Sequence, residues 1–177
     1  DFEIDAHKLS SLLTNCGLEV EGLEEYWPVE GGLKGCVVGE IMSKDKHPDA
    51  DKLSLTKVNA GNNEVLQIVC GAPNVEQGQK VIVARIGSTL HTTKGILEIK
   101  KEKIRGIISE GMICAEDELG LGKSHDGIMV LEPTTIPGTN AADYFKFEQD
   151  WIFEIGLTPN RSDAMSHLGV ARDLAAV

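Results

Sequence analysis

The chain has 177 residues, 41% of them hydrophobic and 25% charged, with a formal net charge of −11. That length holds one ordinary domain or two small ones, and the composition is that of a globular protein. The acidic total argues against a general nucleic-acid binder, and no apolar run approaches the roughly 20 residues a membrane helix needs.

The charge is unevenly spread. Residues 1–33 carry one Lys against eight acids, 34–148 carry 14 basic against 16 acidic residues, and 149–177 carry two Arg against four acids. One stretch runs against the trend: between 80 and 105, Lys80, Arg85, Lys94, Lys100, Lys101, Lys103 and Arg105 meet only Glu98 and Glu102, a local +5. The four cysteines (Cys16, Cys36, Cys70, Cys114) form no C-x-x-C, so neither a disulfide framework nor a zinc site is supported. Cys36, Cys70 and Cys114 sit beside Val, Ile or Met, which suits buried thiols in a reducing cytoplasm.

In chain order, residues 5–16 predict a helix. Leu9, Leu12, Leu13 and Cys16 recur at helical spacing, Asp5 can cap the start, and Gly17 follows as a stop. LEVEGLE (18–24) alternates apolar and acidic residues as a half-buried strand does. The Pro and glycines of YWPVEGGLKG (26–35) mark a first boundary. Strands are predicted at 36–43, 53–59, 65–70, 80–86, 96–104, 110–114 and 128–131, broken by Gly, Asn and Pro at about ten-residue spacing, which suits a small antiparallel barrel. EDELGL (116–121) reads as one helical turn, and PTTIPGTNAADYF (133–145) as a loop entering a short helix. WIFEIGL (151–157) alternates Trp151, Phe153, Ile155 and Leu157 on one face with Ile152, Glu154 and Gly156 on the other. A last helix is expected from Ser162 or Asp163, with Met165, Leu168, Ala171, Leu174 and Ala175 as its apolar face. Helix–strand before the barrel and strand–helix after it can pair into one discontinuous α/β domain. The N-terminus carries no initiator Met and no basic-then-apolar leader, and GVARDLAAV ends as an interrupted helix, so the chain reads as part of a longer protein.

Three phrases in the middle segment carry a resemblance: VVGEIMSKDKHPDADKL (37–53), QIVCGAPNVEQGQKVIVARIGSTL (67–90) and IRGIISEGMICAEDELGL (104–121). They resemble the tRNA-binding OB domain of the endothelial-monocyte-activating-polypeptide type. The flanks, GLEVEGLE and IGLTPNRSDAMSHLGVARDLA, are similar to the β subunit of bacterial phenylalanine–tRNA ligase, a family in which this OB domain is inserted into a small split domain. The fold expected is therefore α+β and mainly β: an OB-type barrel over 35–148 inserted into a discontinuous α/β domain of 1–34 and 149–177. The resemblance further implies a non-catalytic region that contributes tRNA binding and subunit architecture. Its implied partners are tRNA for phenylalanine and the α subunit of an α2β2 tetramer, with no membrane and no DNA. ATP and Mg2+ would serve the parent ligase, with no cofactor, catalytic residue or metal in this region. The runner-up readings are an assembly module without RNA contact and a free-standing tRNA-binding or chaperone-type OB protein.

HPDADKL sets His47, Asp49 and Asp51 at alternate positions, a spacing metal ligands can take, yet no second His or Cys cluster accompanies them and Pro48 stiffens the segment as a loop. By resemblance this loop carries RNA contacts, with Lys44, Lys46 and Lys52 as phosphate donors. The second candidate surface is the basic piece holding Arg85, Lys94, Lys100, Lys101, Lys103 and Arg105, where phosphate binding and protection of an exposed strand edge both remain open. SEGMICAEDELGL resembles the family's closing signature, in which Ser109 and Met112 lie near the RNA-binding surface; Ala115 stands where many members have Ser. The carboxylate run Glu116, Asp117 and Glu118 reads as a solvated turn. Asn160, Arg161, Ser162, Asp163 and His167 look catalytic, but Ser162 suits a helix cap and Arg161 with Asp163 an ion pair. From Cys36 to Asp143 there is no Phe, Tyr or Trp, so RNA contact here would run through phosphate, sugar and shape rather than base stacking.

Overall fold

The computed structural model describes residues 4–92 and 95–176. They divide into two compact units, one running to Tyr26 and resuming at Gln149, the other spanning Trp27–Glu148. The first border falls eight residues before the expected 34/35 boundary: residues 27–34, which include the Gly-containing 3-10 turn Glu30–Leu33, belong to the central unit. Leu33 and Val29 pack into its core.

The split unit pairs helix α1 (Ala6–Asn15), strand β1 (Glu19–Tyr26), strand β12 (Asp150–Gly156) and helix α3 (His167–Leu174). Asp5 caps α1 by accepting the Lys8 N–H at 3.0 Å. The helix closes at Gly17, whose N–H reaches the Thr14 carbonyl while Leu18 N–H reaches that of Leu13. β1 and β12 are antiparallel neighbours, from Glu19 opposite Gly156 to Tyr26 opposite Asp150. Their alternation is as expected, with Phe153, Ile155 and Val20 packed against Leu13, Leu18 and Ala164. The last helix differs from expectation. Residues Ser162–Ala164 form a 3-10 turn, and α3 starts at His167 with Ser166 as its cap, accepting from Gly169 N–H at 3.3 Å. Met165 and Leu168 point to solvent, while Val170 and Leu174 supply the inner face. Gly169 explains the late start: a Cβ there would collide with the Asp163 carbonyl and the Ala164 backbone, so the helix rests on the turn at a residue without a side chain.

The central unit is the expected barrel, and its sheet is nearly closed. Strands β2 (Cys36–Lys46), β3 (Ser54–Asn59), β4 (Val65–Cys70), β5 (Lys80–Arg85) and β10 (Gly111–Ile113) pair in the order β10-β5-β2-β3-β4, with β11 (Val130–Leu131) also on β5. Long β2 serves two neighbours because it bends. Cys36–Glu40 pair with β5, Glu40–Lys46 pair with β3, and a bulge falls between Ile41 and Ser43. Closure comes from the segment entering β10. Strand β9 (Ile107–Ser109) lies along the open edge of β4, where Glu110 N–H donates to the Gln67 carbonyl at 2.8 Å and Val69 N–H to the Ser109 hydroxyl at 3.1 Å.

Inside the barrel pack Val37, Ile41, Val58, Ile68, Val81, Val83 and Ile113. The opposite faces of β2 and β5 (Cys36, Val38, Ile82, Ala84) meet a second core under Leu33, Leu90, Leu119 and helix α2 (Ala141–Phe145), with Tyr144, Phe145 and Phe147 packed on it. Burial on both faces is why VVGEI and KVIVAR read as near-continuous apolar runs instead of alternating. The stretch 96–104, expected as one strand, is two. Strand β6 (Thr89–Thr92) pairs with β7 (Gly95–Glu98), and β8 (Glu102–Ile104) pairs with β9. Between them Ile99 turns inward, 5% exposed, with its N–H on the Ser88 carbonyl and its carbonyl on Gly87 N–H.

Two turns of the central unit touch backbone to backbone at Gly61 and Gly138. Gly61 has φ +84, and a Cβ on it would collide with the Gly138 Cα. Gly78 has a similar φ of +86 with nothing near its Cβ position. Gly78→Ala should therefore cost only the left-handed backbone penalty, about 1–2 kcal/mol, and Gly61→Ala roughly 2–4 kcal/mol because the turns must also separate. Chemical denaturation of the two variants checks the difference; equal losses would count against the close backbone contact.

Candidate nucleic-acid interface

The basic residues picked out in the sequence divide into two groups by their partners. Lys44 pairs with Glu76 at 2.9 Å, Lys100 with Glu98 at 2.7 Å and Lys101 with Glu110 at 3.0 Å. Arg85 holds Glu64 and the Ala60 carbonyl, each at 2.9 Å, and so pins the turn between β3 and β4. Each of these four is at least partly neutralised by its own protein. Lys46, Lys52, Lys103 and Arg105 are exposed and have no ion-pair partner among the described residues. Lys94 lies outside the described residues.

These four cations are carried by two loops that meet and by the strand ends beside them, Lys46 on β2 and Lys103 on β8. Lys46 ends β2 opposite Ser54, and the loop that follows is tied by His47 N–H to the Leu53 carbonyl (3.1 Å) and Leu53 N–H to the Ala50 carbonyl (3.0 Å). The other loop is the turn of the β8–β9 hairpin, where Arg105 (φ +47) and Gly106 (φ +91) both adopt the positive angles of a primed two-residue turn. His47 joins them. It is 3% exposed, its Nδ1 accepts the Asp49 N–H at 3.1 Å, and its Nε2 lies 3.3 Å from the Ile104 carbonyl. A backbone N–H can only donate and a carbonyl only accept, so both contacts are made by the tautomer that carries its proton on Nε2. The metal-like spacing of HPDAD is thereby explained as a strut, with both ring nitrogens used by backbone. Sequence reasoning missed this role. The available signal was Arg-Gly between Ile104 and Ile107, a hairpin-turn dipeptide that directly follows the strand expected at 96–104 and lies outside every predicted element.

Acids interleave with these cations. Asp45, Asp49, Asp51 and Glu102 are all exposed on the same elements. The surface offers ammonium and guanidinium groups interleaved with carboxylates, and it holds no Phe, Tyr or Trp for a base to stack on. Beside the hairpin runs a groove of about 410 Å³ with Ile99, Met112 and Ile113 among its lining residues, and with Lys100, Glu118 and His125 alongside them. Met112 and Ser109 both line it, but neither is a free surface group. Met112 packs on the second core, and the Ser109 hydroxyl is 3% exposed, accepting from Val69 N–H and donating to the Gly111 carbonyl at 3.0 Å. Ser109 acts in barrel closure. Asp117, of the carboxylate run, is buried and meets His125 at 2.9 Å, while Glu118 accepts Ala115 N–H at 2.7 Å and closes the turn.

In the catalytic-looking cluster of the split unit, Arg161 and Asp163 form the expected ion pair. Arg161 grips Asp163 through two contacts of 3.2 Å and also holds Asp173 of α3. The hydrogen bonds from Arg161 hold the Asp163 carboxyl below its usual range. Burial pushes the Cys36 thiol up to about 11, and it raises Cys70 and Cys114 as well, so these thiols are unreactive core residues. Among the described residues no helix is long and apolar enough to cross a membrane, and no group of three His, Cys, Asp or Glu could hold a metal ion.

A family described as a tRNA binding domain matches residues 36–140. The chain belongs to this family. Over 176 residues, 99% of the chain, it is 52% identical to the phenylalanine–tRNA ligase β subunit of Bacteroides fragilis. Over 174 residues, 98% of the chain, it is 48% identical to the same subunit of Pectobacterium atrosepticum. The chain spans 22% and 21% of the length of those two relatives. Among solved structures, a MetRS related protein from Pyrococcus horikoshii matches with a TM-score of 0.43 and 22% identity, covering 60% of this chain and 87% of that one.

The Lys101–Glu110 contact has a measurable signature. The hydrogen bond from Lys101, followed by that from Gln67 N–H, lowers the Glu110 carboxyl below its ordinary value. A carboxyl depressed by folding adds stability above its unfolded pKa, and that contribution is lost as pH falls through the lower folded value. An NMR titration should therefore place the Glu110 midpoint below the usual Glu value of about 4.3, and Lys101→Met should move it back up. A midpoint unmoved by Lys101→Met would assign the shift to the backbone instead.

Proposed function

We infer that this tRNA-binding-domain protein holds a folded tRNA on the surface formed by Lys46, Lys52, Lys103 and Arg105. The observation that carries this reading is that, among the described residues, the candidate cations without a carboxylate partner gather at two loops joined by a hydrogen bond. The absence of Phe, Tyr and Trp from Cys36 to Asp143 favours contacts to phosphate and ribose of a structured RNA over stacking of single-stranded bases. The chain is a non-catalytic region of a phenylalanine–tRNA ligase β subunit in this reading, supported by the similarity over nearly its whole length. The parent enzyme would then charge tRNA with phenylalanine in the cytoplasm, as an α2β2 assembly with the α subunit. ATP and Mg2+ would bind in parts of that enzyme outside this chain, and the split unit would serve subunit architecture.

A second reading is favoured by one specific observation. Lys44, Arg85, Lys100 and Lys101 already engage carboxylates, as expected if the barrel were an assembly module protected at its edges.

Titration with tRNA for phenylalanine and with one non-cognate tRNA, across a range of salt, separates the two. Affinity should fall as salt rises, and Lys103→Ala with Arg105→Ala should reduce the slope of log K against log salt by about two units. The pair Lys100→Ala and Lys101→Ala should change it less, because those ammonium groups are engaged internally. Absence of binding at low salt would leave the assembly reading standing.

A further inference from the structure

The tRNA surface inferred above has almost no net charge of its own, because Asp45, Asp49, Asp51 and Glu102 alternate with its cations. Diffuse attraction therefore contributes little, and affinity depends on presenting the cations in a fixed register. We propose that His47 is the positioning residue for RNA binding: its Nε2–H bond to the Ile104 carbonyl locks the loop carrying Lys46 and Lys52 to the hairpin turn carrying Lys103 and Arg105, so that four cations from two loops act as one site. The proposal rests on the RNA reading and adds to it the part that sets the geometry.

The physical case has three steps. Each loop is short and internally bonded, by His47 N–H to the Leu53 carbonyl on one side and by the paired residues Ile104 and Ile107 on the other. The base of the hairpin is anchored on β4 through Gln67, Val69 and Ser109, so what is left to fix is the turn itself against the first loop. The imidazole supplies that connection at one-residue separation from Lys46 and from Arg105, and its burial shields the hydrogen bond from competing water. The ring also holds its own loop by accepting Asp49 N–H, so one side chain sets both the shape of the first loop and its place against the second. Neither ring nitrogen is left to contact RNA, so the role is indirect.

Two substitutions separate these bonds. In His47→Asn the amide oxygen stands near the position of Nδ1 and can still accept Asp49 N–H, but nothing reaches Ile104. In His47→Gln the amide nitrogen stands near the position of Nε2 and can still donate to the Ile104 carbonyl. The experiment titrates the 177-residue chain and both variants with an unmodified tRNA transcript at several salt concentrations. Amide hydrogen exchange of Ile104 to Gly106 and of Asp49 to Leu53 is followed in parallel without RNA. For His47→Asn we expect an affinity loss on the order of tenfold and a salt slope shallower by about one to two units, as the two loops stop neutralising phosphates together. Exchange near Arg105 should quicken while the β2–β5 amides stay protected. His47→Gln should keep most of the affinity and slope. A role in folding alone would lower global protection in both variants and leave the salt slope of the folded fraction at the wild-type value, which overturns the proposal. Wild-type binding that His47→Asn retains in full overturns the role of His47 and spares the RNA reading. Failure of the wild-type chain to bind overturns that reading and this proposal together.

Discussion

Strand β2 is the constraint on which the central unit depends. It is hydrogen-bonded along both edges, to β5 and then to β3, and buried on both faces, so its residues serve two cores at once. Val37 and Ile41 face the barrel interior while Cys36 and Val38 face the layer under α2. A straight strand could not share its length between two neighbours that diverge around a barrel. The bulge after Ile41 supplies the bend, and everything from Ser43 to the His47 loop is aimed by it. The position of the candidate interface is thus set by a core strand, and the loops that would touch RNA extend from its end.

Barrel closure uses the same economy at the opposite seam. The segment 107–113 meets β4 first, through Ser109 and Glu110, and then β5, through Gly111 to Ile113. Because this segment also returns from the Arg105 turn, closing the barrel and placing the basic hairpin are one structural event. Ser109 is buried for that reason. Its hydroxyl satisfies one donor and one acceptor that would otherwise be orphaned at the seam, and a buried unmade bond of that kind costs about 1–3 kcal/mol.

Much of the fold was legible in the sequence. The ten-residue punctuation by Gly, Asn and Pro marked β2, β3, β4 and β5 to within a few residues, and the alternation of 18–24 and 151–157 marked β1 and β12. Two things were hidden, each for a physical reason. Residues 96–104 alternate well enough to pass for one strand, and only Ile99, drawn into the core between two hairpins, shows why the chain must break there. The start of α3 was set by a tertiary contact: Ser162 and Asp163 are as good as Ser166 for capping, but the close approach at Gly169 decides among them. At the interface the cation types were readable, and which of them are neutralised was not. That depends on carboxylates far along the chain, such as Glu76 for Lys44 and Glu110 for Lys101.

Strand register makes that sorting. In the β8–β9 hairpin Glu102 stands opposite Ser109 and Lys103 opposite Ile108, so the same register carried one step outward sets Lys101 against Glu110, its ion-pair partner. A slip of two residues would keep every side chain on its own face and bring Lys103 against Glu110, exchanging which lysine is spent internally. The turn at Arg105 and Gly106 forbids that slip, because a two-residue primed turn fixes Ile104 opposite Ile107. On β2 the equivalent pairing puts Lys46 opposite Ser54, a residue with no charge to offer. In a chain with 28 acids and 17 Lys and Arg, Lys44, Lys80, Arg85, Lys100, Lys101 and Arg161 engage carboxylates. Lys103 and Lys46 stay unpaired among the described residues because backbone pairing sets one against an isoleucine and the other against a serine. The electrostatic surface is in this sense a product of hydrogen-bond register, and charge composition alone could not have revealed it.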